Sequence, residues 1–196
     1  MDIKFSNKVN IQPWIGNEYH KAKLKILVLG MSTYNHDDPK KACVKIMAKK
    51  VSEGNREKWA RYWNRITTLL KNDNEEVSNF WNRISFHNYI QEIMDEPKQK
   101  TPKEYWENAK EPFMEIIERL VPDIVIVTGY ETFDHLPDEC IRGRSIRKNG
   151  KELKIGYCKI GKKTVNICGM WHPATYGFKY ADWRNLCKIF YRSIIK

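Results

Sequence analysis

Two short apolar runs that end on glycine constrain the fold of this chain more than any other feature. Residues 24–30 and 122–129 are rich in leucine and β-branched side chains, which is typical of strands buried on both faces. Residues 85–90 form a shorter run, and residues 152–160 and 163–170 form two more. Since helical patterns separate the first three runs, we predict an α/β fold, a three-layer α/β/α sandwich. Its mostly parallel central sheet should have about four strands plus a basic edge strand at 152–160.

The predicted helices are marked by apolar residues spaced three and four apart, which is the spacing of one helix face. This pattern runs through residues 59–70 and 106–120, and again from about Tyr180 towards the C-terminus. A further helix is predicted after Pro39, because proline is favoured in a first helical turn. The 196 residues suit one domain and are too few for two, so we predict a single domain over residues 1–196.

Positive charge is concentrated in one segment. The formal net charge is +11, and residues 142–163 contain nine lysines and arginines but a single carboxylate, Glu152. Such a cluster suits a polyanion, because each phosphate contact releases condensed counterions. We therefore predict DNA, single- or double-stranded, as the partner, with contacts from Arg142, Arg144, Arg147, Lys148 and Lys151. The alternative is a lysine-rich hairpin that is merely solvated.

Membrane insertion, disulfides and metal binding are not indicated by the sequence. The longest purely apolar run has about five residues, far below the ~20 that span a bilayer. The first residues lack the apolar segment of a signal peptide. The five cysteines include no C-x-x-C pair, and we expect them to be separate buried thiols. The sequence thus predicts a cytoplasmic monomer with no membrane partner, no metal and no cofactor.

Polar and aromatic side chains follow the predicted strands, and ligands of open α/β sheets bind at the carboxyl ends of the strands. These residues are Ser32, Tyr34, Asp37 and Asp38 after the first strand, Phe86 and Asn88 in the second, and His172, Tyr176 and Phe178 after the last. An aromatic ring stacks on a nucleobase, an amide reads its edge, and a histidine stabilises a leaving anion. Each also has a plain structural alternative: His172 as a satisfied polar residue, Phe86 as core, and Asn88 as a partner of loop backbone.

Three motifs keep a fixed order along the chain. Residues 30–34 read Gly-Met-Ser-Thr-Tyr, residues 86–88 read Phe-His-Asn, and residues 172–174 read His-Pro-Ala, with the strand at 122–129 before the last of them. This collinear set resembles the uracil-DNA glycosylase superfamily over about residues 22–190. In that superfamily the first motif activates a water, the asparagine reads the base, and the last motif supplies a histidine and a loop that wedges into DNA.

The resemblance implies a DNA-repair hydrolase that flips a damaged base and cleaves its N-glycosidic bond. The family's first motif is Gly-Gln-Asp-Pro-Tyr, so Ser32 replaces the aspartate that orients water and Thr33 replaces the proline. The four-cysteine pattern of the iron–sulfur branch is missing, so no cluster is expected. The resemblance implies Gly30, Met31, Tyr34, Phe86 and Asn88 for the base pocket, His172 and the Ser32 position for catalysis, and Tyr176 or Phe178 for the wedge. Because Ser32 departs from the motif, we predict that Asp37 or Asp38 holds the water instead.

Two other functions stay open at this point. One is a catalytically inactive nucleic-acid-binding protein of the same fold, which Ser32 favours and His172 opposes. The other is a hydrolase or binder of a free nucleotide or nucleoside, for which the basic segment would be incidental. A fold resemblance does not decide among these three functions.

Overall fold

The computed structural model describes residues 3–34, 44–54, 60–95 and 100–194. Its helices are α1 (Val44–Ser52), α2 (Arg61–Leu70), α3 (Val77–Arg83), α4 (Lys103–Asn108), α5 (Lys110–Leu120), α6 (Tyr130–Asp134) and α7 (Tyr180–Ile194). Its strands are β1 (Trp14–Ile15), β2 (Ile26–Gly30), β3 (Thr33–Tyr34), β4 (Ile84–Asn88), β5 (Ile93–Met94), β6 (Ile124–Thr128), β7 (Cys140–Arg142), β8 (Ile146–Lys148), β9 (Lys151–Ile160) and β10 (Lys163–Met170). None of these helices is long and apolar enough to cross a bilayer.

Four parallel strands form the centre of the main sheet, in the spatial order β4-β2-β6-β10. The chain runs from β2 to β4 on one side, and then crosses back to β6 on the other side of β2. This reversal is a topological switch point between β2 and β6, and in open α/β sheets the ligand crevice lies at the carboxyl ends of such strands. The predicted α/β class is confirmed, and so is the parallel arrangement of the central strands.

The main sheet is larger than predicted and partly antiparallel. Among the described residues it contains eight strands, because β1 pairs with β4, β9 pairs with β10, and both β7 and β8 pair with β9, all antiparallel. The expected total of about four strands plus one edge strand was therefore too low. Strand β9 is also not the edge strand, since β7 and β8 cover its outer side. The added strands have two or three residues each, too few to show an alternating pattern.

A two-residue turn joins β8 to β9. Asn149 and Gly150 have φ angles of +51° and +68°, the left-handed backbone that a tight hairpin turn requires at both positions. An Asn-Gly pair is the strongest short-range hairpin signal in a sequence, so this turn was detectable from residues 149–150. The hairpin brings Lys148 opposite Lys151 and places both beyond the end of β10.

Helices cover both faces of the sheet, and each face has its own core. Alternate residues of β2 show the division: Val28 packs with α1, α2, α3 and α7, whereas Leu27 and Leu29 pack with α4, α5 and α6. All three side chains are fully buried. Burial on both faces explains why β2 reads as a continuous apolar run rather than an alternating one.

Candidate functional site

A cavity of about 520 Å³ lies at the carboxyl ends of β2, β6 and β10. Loops that are far apart in sequence meet there, as predicted for the switch point. The described loop after β4 contributes no lining residue. The cavity is lined by Met31, Tyr34, Thr128, Gly129, Tyr130, Glu131, Thr132, Trp171, His172 and Thr175.

His172 enters this cavity directly after β10. Its Nδ1 accepts a hydrogen bond from the Ala174 backbone N–H at 3.2 Å, and its ring stacks on the ring of Tyr62 with centroids 5.0 Å apart and planes 10° apart. The residue is exposed to solvent, although the protein atoms around its ring, and then the charge of Arg65, lower its pKa. The imidazole is therefore neutral and carries its proton on Nε2. Among the described residues that N–H has no partner, so it is a donor for a ligand.

Tyr62 is the side chain that sequence reasoning missed. It was assigned only to the apolar face of the 59–70 helix, yet its ring lies between His172 and Phe86, 6.1 Å from the Phe86 centroid and edge-on to it. Its hydroxyl donates to Thr128 Oγ1, which in turn donates to the Leu29 carbonyl at 3.0 Å. Burial raises the pKa of Tyr62, so the hydroxyl stays protonated.

Gly30, Phe86 and Asn88 do come together, but behind Tyr62 rather than on the cavity wall. Phe86 is fully buried and packs on Trp63 with centroids 4.1 Å apart. Asn88 Nδ2 donates to Thr33 Oγ1 at 2.8 Å, which leaves Asn88 Oδ1 as an acceptor. A Cβ on Gly30 would lie 2.4 Å from that oxygen and 3.1 Å from Phe86 Cζ, so any larger residue there would force the Asn88 side chain to move.

The first motif, residues 30–34, supplies two residues of the cavity wall and one buried hydroxyl. Met31 and Tyr34, which the resemblance assigns to the base pocket, both line the cavity. Ser32 Oγ is buried and has no hydrogen-bond partner among the described residues. Asp37 and Asp38, the predicted water-activating carboxylates, lie outside the described residues. Glu131 on α6 is the only carboxylate among the described lining residues, and nothing in the sequence singled it out.

The predicted basic segment divides between the two ends of β9. Because β9 is antiparallel to β10 and ten residues long, its ends lie roughly 30 Å apart. Lys159 and Lys162, the distal pair, are exposed at the end away from the cavity. The cavity end carries the rim cluster: Arg144, Arg147, Lys148 and Lys151.

Individual members of the basic segment also differ in their partners. Lys151 Nζ lies 4.1 Å above the ring of Trp171, a cavity residue, and Arg147 pairs with Glu152 at 2.9 Å. Arg142 instead bonds to the carbonyl oxygens of Cys140 and Leu136, so its guanidinium is committed to the protein itself. Among the predicted contacts, the rim cluster is therefore better placed than Arg142 to meet a ligand that enters the cavity.

The two predicted wedge residues have different surroundings. Tyr176 is fully exposed on the loop after His172. Phe178 is half-buried and stacks on Trp183 with centroids 5.5 Å apart and planes 12° apart. Phe178 thus anchors the loop to the core, whereas Tyr176 presents an exposed aromatic ring beside the cavity.

No protein-family model matches this chain, and no curated protein matches it either. In the described ranges, no three His, Cys, Asp or Glu side chains come together as a metal site. The chemistry of the cavity therefore has to indicate the function.

Proposed function

We propose that this protein recognises a flipped base in DNA and hydrolyses its N-glycosidic bond, as the resemblance to uracil-DNA glycosylases implies. The observation that carries the proposal is His172, a neutral imidazole whose Nε2–H has no partner among the described residues, on the wall of an aromatic cavity at the switch point. The rim cluster beside the same cavity supplies the positive charge that a nucleic-acid backbone attracts.

The proposed reaction separates charge across the glycosidic bond. The bonding electrons leave with the base as an anion, and the sugar becomes an oxocarbenium ion that water attacks. A hydrogen bond from His172 Nε2–H stabilises the departing anion, and a neutral donor keeps its proton while doing so. Removing one such preorganised donor typically costs a factor of about 10²–10³ in rate.

The water requires a carboxylate or another acceptor near the sugar. Asp37 and Asp38 are the proposed groups from the sequence, and Glu131 is a third because it lines the cavity. Ser32 occupies the motif position where the family has aspartate, and a neutral hydroxyl is a weak base. Ser32 therefore favours a second candidate function, a protein that binds nucleic acid without cleaving it.

DNA would be held outside the cavity by the rim cluster and by Tyr176. Flipping a base out of a duplex costs a few kcal/mol of unstacking, and an aromatic wedge that fills the gap offsets part of that cost. Tyr176 is fully exposed, so its ring is available for this role without repacking the core.

The test is a single-turnover assay on oligonucleotides that contain uracil, hypoxanthine or xanthine, followed by alkaline cleavage at abasic sites. Single- and double-stranded substrates are compared with the undamaged sequence. Abasic-site formation in one of them supports the hydrolase. Salt-dependent binding without any abasic product would favour the binding protein, and no binding to DNA would leave the free nucleotide or nucleoside as the ligand.

A further inference from the structure

We propose that Cys140 and Cys158 form a redox modification site, a pair of thiols that a small disulfide converts reversibly into a cross-strand disulfide. The four cysteines that the structure describes are all buried and free. Two of them are nonetheless neighbours, because the register of β7 and β9 places Cys140 directly opposite Cys158. The inference does not depend on the proposed function, since the pair lies at the edge of the sheet rather than in the cavity.

The position of this pair in the ladder brings the two backbones close together. Gly143, directly after β7, donates its N–H to the Ile155 carbonyl at 2.8 Å in the same register. Hydrogen-bonded and non-hydrogen-bonded pairs alternate along an antiparallel ladder, so Cys140 and Cys158, three residues away, are a non-hydrogen-bonded pair. The Cys140 N–H accordingly donates to the Pro137 carbonyl instead. The Cα atoms of such a pair are about 4.5 Å apart, inside the range of roughly 4.4–6.8 Å that a disulfide requires.

The two side chains also point to the same face of the sheet. Both belong to the core that contains Leu27 and Leu29, and their thiols hydrogen-bond to each other. The other two described cysteines, Cys168 on β10 and Cys187 on α7, belong to the opposite core. A strand and a helix share no ladder, so no register sets those two thiols opposite each other. The geometry therefore favours one specific disulfide.

An oxidant reaches the pair through local opening of the sheet edge. Cys140 is only 2% exposed and Cys158 is fully buried, and burial raises the pKa of both thiols, so the closed sheet protects them. Strand β7 has three residues, and among the described residues no strand pairs with its outer side. Opening of such a short edge strand costs much less free energy than global unfolding. Oxidation of the folded protein is therefore expected to be slow but complete.

The reaction is a pair of thiol–disulfide exchanges with a low-molecular-weight disulfide, for which oxidised glutathione is the probe. The thiolate of one cysteine attacks a sulfur of the small disulfide, which forms a mixed disulfide and releases one small thiolate. The second cysteine loses its proton and attacks the protein sulfur of the mixed disulfide, which forms the Cys140–Cys158 bond and releases the other small thiolate. The two released thiolates take up the two protons. The protein is thus oxidised, and the small disulfide is reduced to two thiols.

The product encloses the rim cluster in a covalent loop. Residues 140–158 contain all four members of that cluster, so the disulfide ties the basic edge of the sheet to β9. Closing a loop of this length removes conformational entropy from the unfolded chain. Formation of the disulfide should therefore raise the Tm by roughly 6–13 °C.

The first experiment maps the disulfide in the wild-type protein and requires no variant. Folded protein is incubated with oxidised glutathione at neutral pH, the remaining thiols are alkylated in denaturant, and the tryptic peptides are analysed by mass spectrometry. We expect one pair of linked peptides that joins Cys140 to Cys158 and separates again after dithiothreitol. Free Cys140 and Cys158 thiols, a persistent glutathione adduct on either of them, or a link from either to another cysteine overturns the inference.

The second experiment measures the effect of the link on stability. The Tm of reduced and oxidised protein is compared for wild type, Cys140→Ala, Cys158→Ala and the matched control Cys187→Ala, which removes a buried thiol from the opposite core. Oxidation should raise the Tm of wild type and of the control by roughly 6–13 °C and leave the other two variants unchanged. An equal rise in Cys140→Ala overturns the inference, because the gain then comes from another site. A lower Tm in oxidised wild type also overturns it, because the native strands then do not accommodate the bond.

Discussion

His87 should make the stability of this protein fall steeply in mild acid. It lies within β4, beside Asn88, and is fully buried. Its Nε2 accepts a hydrogen bond from Gln91 Nε2 at 3.0 Å, and the same Gln91 nitrogen donates to the Asn88 carbonyl at 3.1 Å. Burial lowers the pKa of His87 to about 3, so the folded protein holds it neutral. The strand that carries Asn88 is therefore tied to a histidine that resists protonation.

The size of the effect comes from the difference between the folded and unfolded pKa values. A histidine in the unfolded chain titrates near pH 6.5, so below that pH the unfolded state binds a proton that the native state refuses. The contribution of the neutral His87 to the free energy of unfolding is therefore present above pH 6.5. It is lost progressively as the pH falls towards the folded pKa of about 3. Each pH unit is worth about 1.4 kcal/mol, so between pH 7.5 and 4.5 the loss is about 2–3 kcal/mol.

Urea unfolding at pH 7.5 and 4.5 measures this loss, and the lower of these two pH values still lies above the ordinary pKa values of aspartate and glutamate. In His87→Gln the new amide oxygen accepts the Gln91 hydrogen bond but cannot titrate. The free energy of unfolding should therefore fall by about 2–3 kcal/mol less in the variant than in wild type between the two pH values. His20→Gln, which removes an exposed histidine, should reproduce the wild-type fall. Equal pH dependence in wild type and His87→Gln would refute the reasoning.

Three other predictions follow from the site. His172→Asn should lower the single-turnover rate of base release by on the order of 10²–10³ while DNA affinity and Tm stay close to wild type; a full rate would remove His172 from the mechanism. Alanine at all four rim-cluster positions should flatten the log K versus log salt slope by up to roughly 0.9 per lost phosphate contact on duplex DNA, whereas alanine at both distal positions should not. Phe86→Ala should cost roughly 3–5 kcal/mol of unfolding free energy, measured by urea denaturation, because its ring is wholly core; a loss of base affinity at unchanged stability would contradict that placement.

Long periodic segments were predictable from the sequence, and short ones were not. The run predicted at 163–170 is strand β10 (Lys163–Met170), and the helix predicted from about Tyr180 is α7 (Tyr180–Ile194). Burial of one or both faces imposes a hydrophobic pattern on the sequence, and an element of eight or fifteen residues is long enough to show it. Strands β1, β7 and β8 have two or three residues and depend on pairing with a neighbour, which no local pattern records. The predicted sheet was therefore correct for the central strands, but it lacked the short strands at both edges.

The sequence predicted which loops meet at the cavity, but not which side chains lie at its surface and which lie behind them. His172, Met31 and Tyr34 line the cavity because they directly follow parallel strands, and strand ends meet wherever such a sheet forms. Helical spacing correctly indicated that Tyr62 belongs to an apolar face, but periodicity does not specify which side chain it touches across the core. As a result Phe86 and Asn88 were expected on the cavity wall, whereas the structure places Tyr62 in front of them.

Whether the protein is a hydrolase or a binding protein depends on how far the activation barrier is lowered, and a hydrogen bond from His172 is not enough by itself. One preorganised donor lowers a barrier by about 3–4 kcal/mol, whereas enzymes lower theirs by about 8–23 kcal/mol. Positioning of a bound sugar and water can add about 7–11 kcal/mol, provided that a group holds the water in line. In the proposed hydrolase, Ser32 stands where the glycosylase family has aspartate, so the proposal assigns the water to Asp37, Asp38 or Glu131. If none of them reaches the water, a slow residual hydrolysis that still depends on His172 should persist, and long single-turnover incubations are needed to distinguish such an enzyme from a pure binding protein.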